Sequence, residues 1–406
     1  MHSVHACYKL RHRFIVKQYR TGSSGCRRPL RTRGITYVIV VVLCTGAFFG
    51  SLLFAADPIQ EFRTAMPGYE YVFPRDHGSH DDFRTEWWYY TGHLTTKNGR
   101  PFGYQLTFFR RGIPRNQVKT LPSRWSITQL YLAHFAISDL AGKQFYFAEH
   151  ISRAGLGRAG SDRDRLHVWI DQWSAESPIA VPLSQQLRAS TDTIGLQLTL
   201  SPEKSLVVHG IGGVSRKGSE LGQASHYYSF TRLATIGTLS IGDQQFEVTG
   251  TSWMDHEFGS ADLGQDLVGW DWFSIQLDNG CELMLYRLRR ADGSTEPASS
   301  GTLVDRDGRT QHLALKDFSM EPTAFWTSPK TNARYPQRWH LVIPSLDLSL
   351  DIAPQLAGQE LVTSRSTQVT YWEGAVEITG ASRGLPLRGK GYMELTGYAE
   401  RITRKL

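Results

Sequence analysis

This 406-residue chain predicts an all-β protein of two barrel or sandwich domains, and three observations carry that expectation. Hydrophobic residues alternate with period two over 127–137, 196–200, 246–249 and 340–343, the pattern of half-buried strands. Turn signals recur at short intervals: Asn98-Gly99, Gly242-Asp243, Asn279-Gly280, Asp292-Gly293 and Asp307-Gly308. Many short strands broken by frequent turns build sandwiches and barrels. The third observation is an internal repeat. EWWYYTGHLTTKNGRPFGYQLTFFRR and GWDWFSIQLDNGCELMLYRLRR each give an aromatic strand, an Asn-Gly hairpin and a second strand ending in Arg-Arg. Each is also preceded by an Asp-His pair, Asp76-His77 and Asp255-His256.

The first residues are of a different kind. Residues 1–34 form a basic leader with nine Lys/Arg and no Asp or Glu. Setting those nine aside from the 45 cations leaves 36 against 38 anions, so the net charge of +7 belongs to the leader. A nucleic-acid partner is therefore not expected, because no basic face remains for it. Residues 35–56 are free of charge and long enough for one crossing of a bilayer. They read equally as a cleaved signal sequence or as an anchor with its basic flank in the cytoplasm. Either reading places the remainder in the periplasm or another extracytoplasmic compartment; an uncleaved segment would hold it to the inner membrane. Cys281 is the single cysteine after residue 56, which rules out an internal disulfide there.

The repeat divides the remainder into a domain over 70–250 and another over 251–406. Sliding the two hairpins together places Trp87 with Trp270, Trp88 with Asp271 and Tyr89 with Trp272. The second half thus carries an acid where the first carries an aromatic. A carboxyl among indoles is poorly solvated, which favours a protonated form suited to making a carbocation. A buried, hydrogen-bonded strand acid is the plainer alternative. Strand alternation puts Asp271 on the face of Phe273 and Ile275, with Trp270 and Trp272 turned away. By the same rule His256 points away from Asp255 and Glu257, so that triplet is not a chelating unit. No metal and no cofactor are expected. Gly155-Leu-Gly157-Arg-Ala-Gly160 is followed by Ser161-Asp-Arg-Asp and reads as a loop. H-E-x-x-H does not occur. Arg110-Arg111 and Arg289-Arg290 are expected as solvated strand ends.

Residues 73–94 (FPRDHGSHDDFRTEWWYYTGHL), 102–110 (FGYQLTFFR), 131–139 (YLAHFAISD) and the segments SWMDHEFGS and GWDWFSIQLDNG within 252–280 resemble the carotenoid 1,2-hydratase (hydroxyneurosporene synthase) and AttH-like group of lipocalin-like proteins. The likeness is closer to the exported AttH-like branch, often labelled a predicted secreted hydrolase. It implies two lipocalin-like β-barrels and acid-catalysed hydration, isomerisation or cyclisation of an apolar isoprenoid or polyene. It also implies that Asp271 is the acid, with Asp255, His256 and Trp253 as helpers. Trp88, Tyr89, Tyr90, Trp270, Trp272 and Phe273 are the aromatic residues expected to line the substrate. A non-catalytic carrier of a lipid or other apolar molecule is the alternative, and a secreted hydrolase a second one.

Overall fold

Alternation along each predicted strand is realised as two curled antiparallel sheets. The computed structural model describes residues 62–114, 127–181, 183–262, 264 and 266–402. The leader and the apolar segment 35–56 lie outside the described residues. Among the described residues no helix is long and apolar enough to cross a membrane. Residues Asp57–Leu406 form one compact unit.

The first sheet begins with β1 (Thr85–Thr96), β2 (Pro101–Gly112), β3 (Gln129–Asp139), β4 (Gln144–Arg153), β5 (Ala159–Ser161), β6 (His167–Ile170) and β7 (Trp173–Glu176). It continues through β8 (Gln185–Ser190), β9 (Ile194–Pro202), β10 (Val207–Val208), β11 (Ser215–Arg216), β12 (Ala224–Ile241) and β13 (Gln244–Gly259). The second sheet opens with β14 (Leu267–Leu277), β15 (Glu282–Arg290), β16 (Ser300–Val304), β17 (Thr310–Ala314) and β18 (Ser319–Thr327). Its later strands are β19 (Arg334–Ile343), β20 (Leu348–Pro354), β21 (Glu360–Val362), β22 (Thr370–Ser382) and β23 (Leu385–Thr396). The fold is all-β, with two lipocalin-like barrels, as the repeat and the resemblance imply.

Both sheets share one plan. The first strand of the Asn-Gly hairpin, β1 or β14, lies between its hairpin partner and the last strand of its sheet, β13 or β23. Gly99 and Gly280 take positive φ (87° and 81°) at the two turns, where a side chain would be strained. One boundary differs from expectation. Strand β13 pairs with β1 and β12, so the division falls at 260–266 rather than after residue 250. The sequence shows that 244–259 is a strand but not which sheet completes it. For the same reason Asp76-His77 and Asp255-His256 are not equivalent: the first is a short 3-10 turn, the second lies within β13.

Alternation sorts side chains into several cores, three of which frame the site. Trp88, Tyr90, Met254 and Tyr228 fill the first barrel. Phe273, Ile275, Trp372 and Met393 fill the second. Tyr89, Tyr227, Trp253, Trp272, Tyr286 and Tyr392 form a third cluster from strands of both sheets, where the barrels meet. The sheets approach closely there. A Cβ on Gly103 would sit 2.5 Å from the Tyr392 hydroxyl and 3.0 Å from the Ala375 Cβ. Polar links cross the seam: His93 Nε2 to the Gly391 carbonyl (2.8 Å), and Gln276 Nε2 to the carbonyls of Thr231 (2.7 Å) and Ser252 (3.0 Å).

Inside the first barrel Glu86 organises a buried ionic network. Oε1 meets His80 Nδ1 (2.7 Å) and His256 Nε2 (2.8 Å), while Oε2 accepts from Arg110 Nε (2.8 Å). Arg110 also donates to the carbonyls of His80 (2.7 Å) and Phe83 (2.9 Å), which fastens the segment before β1 to the barrel. Arg110 is thus fully buried rather than a solvated strand end. Removing one member of a buried ion pair leaves its partner uncompensated. Glu86→Gln is accordingly expected to cost about 3–5 kcal/mol of stability, measurable by equilibrium urea unfolding.

Candidate active site at the barrel interface

The site residues expected from the sequence separate into three places. His256, Trp88 and Tyr90 face the first barrel. His256 is held between Glu86 and the Tyr228 hydroxyl (2.9 Å from Nδ1), and the Trp88 ring stacks on it with centroids 4.9 Å apart. Asp271 and Phe273 face the second barrel. Trp253, Asp255, Tyr89, Trp270 and Trp272 meet in the seam between them.

Asp271 does not stand in an open aromatic cage. Its cross-strand partner is Arg287, whose Nε and Nη2 reach Oδ2 at 3.0 and 2.9 Å. Arg289 Nε lies 3.3 Å from Oδ1, and the Tyr398 hydroxyl donates to Oδ1 at 2.7 Å. Two guanidinium groups and a phenol occupy both oxygens of a fully buried side chain. That arrangement engages both oxygens with donors from the protein itself. The acid role expected of Asp271 therefore has no geometric support, and the plainer alternative of a satisfied strand acid describes it. Arg289, like Arg110, is an internal partner and not a solvated strand end.

Asp255 has the opposite environment. It faces the seam from β13 and is 3% exposed. Oδ2 accepts from the Tyr227 hydroxyl (2.8 Å), and Oδ1 accepts from Trp253 Nε1 (2.6 Å) and from the Ser229 hydroxyl. All three donors are neutral, and among the described residues no cation pairs with it. Burial raises its pKa, the three hydrogen bonds oppose the rise, Glu257 adds to it, and the carboxyl is held at about 7. Trp272 Nε1 donates to the Tyr227 oxygen (3.1 Å), and the Trp272 ring lies edge-on to Tyr89 and Trp253 at centroid distances of 5.1 and 6.4 Å.

Two further acids face the same seam from the second sheet. Glu373 and Glu394 are cross-strand partners on β22 and β23. Burial and then the neighbouring Glu394 push Glu373 well above the usual carboxylate range. Glu394 is raised to about 7 by desolvation of its carboxyl, opposed by Trp270 and reinforced by Asp255 and Glu257. The Tyr89 hydroxyl is buried without a well-formed hydrogen bond and faces Glu373. At the outer end Lys217 Nζ lies 3.0 Å from Glu257 and 4.3 Å from the Tyr286 ring centroid. Burial works against the Lys217 ammonium, but Glu257 outweighs it and its pKa is raised. A cavity of about 860 Å³ opens beside this lysine, lined also by Phe62, Thr64, Arg84, Leu267 and Glu296. Asp255 does not line it; Lys217 and Leu267 border both the cavity and the aromatic seam.

Sequence reasoning missed Lys217, Tyr227, Ser229, Glu373 and Glu394. The available signal was acids placed among aromatics in Tyr371-Trp372-Glu373 and Tyr392-Met393-Glu394. A metal could find ligand atoms from His80, Glu86 and His256 within 4.8 Å of one another. Arg110 on Glu86 and Tyr228 on His256 occupy the remaining valences, the pattern of the hydrogen-bonded network described above.

Residues 64–398 match the AttH-like family model, and the chain belongs to the AttH-like family. The AttH structure from Nitrosomonas europaea is 35% identical, covers 83% of this chain and 100% of its own, and superposes with a TM-score of 0.74. Kievitone hydratase from Nectria haematococca shares the fold at 15% identity and a TM-score of 0.63, over 84% of this chain and 98% of its own. Dehydratase asqC of Emericella nidulans is 20% identical over 219 residues, 52% of this chain. The chain spans 61% of that relative's length.

The Asp255 environment has a measurable consequence. An unfolded aspartate titrates near its ordinary value of about 4, the folded one at about 7. Between these values the unfolded chain is ionised while the folded one still binds a proton, so stability falls as pH rises through the window and levels off above it. An amide carries no such penalty. Asp255→Asn is expected to be more stable than wild type at neutral pH by about 2–4 kcal/mol, the difference shrinking toward about pH 4. Urea unfolding of both proteins between these limits tests this; a pH-independent difference would show that Asp255 titrates normally.

Proposed function

We propose that this protein is an enzyme of hydratase or hydro-lyase type acting by general acid catalysis on an apolar, isoprenoid- or polyene-like molecule held between the two barrels. The observation that carries the reading is Asp255: a buried carboxyl held by neutral donors, its pKa raised to about 7, and surrounded by Trp253, Trp272, Tyr227 and Tyr89. A general acid works best when its pKa lies near the working pH. The names of two relatives, a kievitone hydratase and a dehydratase, agree with it. The one match to G-x-S-x-G, Gly380-Ala-Ser382-Arg-Gly384, sits on the tight hairpin between β22 and β23 and not on the strand-to-helix turn of a hydrolase nucleophile, which weakens the hydrolase reading.

In the forward direction the Asp255 O–H bond breaks as a C–H bond forms at one alkene carbon, leaving a carboxylate and a carbocation. The indole and phenol faces stabilise that cation, each by about 2 kcal/mol where water is excluded. The oxygen of a water molecule then bonds to the cationic carbon, and the oxonium proton passes to Glu394 or back to Asp255. Loss of a neighbouring C–H proton to the same bases gives isomerisation instead. The charge-free segment 35–56 supports placing this activity outside the cytoplasm, at the inner membrane if the segment is retained.

Incubation with apolar polyenes and prenylated phenols in ¹⁸O-water, followed by mass spectrometry, is the test. Asp255→Asn is expected to lower kcat by about 10²–10⁴-fold while Asp271→Asn, where it folds, keeps turnover. Full activity in Asp255→Asn would remove the acid role. Tight binding of such molecules with no product in wild type would favour the carrier reading.

A further inference from the structure

Glu373 lies deep in the seam, yet its polar surroundings continue past it to the protein surface. Its carboxyl faces the Tyr371 hydroxyl, two residues along the same face of β22, without a well-formed hydrogen bond between them. That hydroxyl is 2.7 Å from Nδ1 of His134, on β3 of the other sheet. His134 is fully buried, and its Nε2 lies 2.8 Å from the Ser366 hydroxyl. Ser366 donates in turn to Glu149 Oε2, a partly exposed carboxylate on β4. Glu149 also accepts the backbone N–H groups of Arg365 (3.1 Å) and Ser366 (2.9 Å), which fixes the connecting loop in place.

We propose that Tyr371, His134, Ser366 and Glu149 form a proton relay that connects the buried acids of the seam to solvent by a route separate from the cavity at Lys217. The inference rests on the proposed acid catalysis and adds how its carboxyls recover or release protons while an apolar molecule fills the seam. Each member has one proton to give and one lone pair to receive, so a single outward transfer balances. When Glu373 turns within hydrogen-bond reach of Tyr371 it gives its proton to the Tyr371 oxygen, and the Tyr371 proton goes to His134 Nδ1. The His134 Nε2 proton goes to Ser366 Oγ, and the Ser366 proton goes to Glu149. Glu373 is left as a carboxylate and Glu149 as an acid that exchanges with water; the reverse sequence reloads the cluster. Burial pushes His134 down to about 3, so the ring stays neutral and transmits protons by exchanging one N–H for the other, without holding charge.

Because the relay acts through Glu373, the test reads proton exchange itself. Infrared spectra of the purified protein at neutral pH should show the C=O stretch of protonated carboxyls, assigned by its loss in Glu373→Gln. After rapid transfer to D₂O the band shifts as those groups exchange. His134→Phe and Ser366→Ala are expected to slow the shift by roughly tenfold or more, because exchange then waits for local opening. Ser366→Thr, which keeps the hydroxyl, should exchange like wild type. Urea midpoints identify any variant whose loss of stability alone would change local opening. Wild-type exchange rates in both Ser366→Ala and His134→Phe overturn the relay and leave the acid cluster standing. Absence of any protonated-carboxyl band in wild type overturns the acid cluster, and the relay with it.

Discussion

Strand β13 imposes the constraint on which the site depends. It lies between β1 and β12, and its period of two sends Met254, His256 and Phe258 into the first barrel and Trp253, Asp255 and Glu257 into the seam. Neighbouring residues of one short sequence thus enter unrelated environments. His256 meets a carboxylate backed by an arginine, and Asp255 meets neutral donors only. A shift of register by one residue would exchange them, burying Asp255 in the ionic network and exposing the imidazole to the aromatic seam. The Glu86 network, by fixing β1 against β13 through His256, holds that register.

Carboxyls are buried in two ways in this molecule, and the contrast marks the site. Glu86, Asp271 and Glu282 each face arginine or lysine side chains at hydrogen-bond distance. Asp255, Glu373 and the half-buried Glu394 have no such partner among the described residues, and their pKa values are raised instead. Buried charge without a counter-ion opposes folding, so the seam acids weaken the protein that the paired acids stabilise. Groups arranged at the expense of stability are where chemistry is most often found.

Much of the architecture was legible in the sequence because strands and hairpins are local. The Asn-Gly turns, the alternation and the two-fold repeat all came from residues close together in the chain. Alternation also separated His256 from Asp255, and Asp271 from Trp270 and Trp272. What closes each face was not legible. Nothing near Asp271 in sequence says that Arg287 and Arg289 return across the hairpin to meet it, or that Asp255 meets Tyr227. Glu373 and Glu394 were missed because their significance arises from pairing across β22 and β23 and from a sheet that covers them. The boundary at 260–266 was missed for the same reason: β13 looks like the start of something until β1 is seen beside it.

Tyr89 and Trp272 hold matching positions in the two repeats, and in the folded protein they touch each other. A single barrel of this design would therefore present its aromatic face, with Trp87 and Tyr89 beside Asp255, to water. Exposed apolar patches of that kind seek a partner. The other half of the same chain supplies one at an effective concentration of about millimolar or above, which favours the intramolecular pairing over contact with another chain. The acid-bearing seam and the solution to a solubility problem are, in this protein, the same surface.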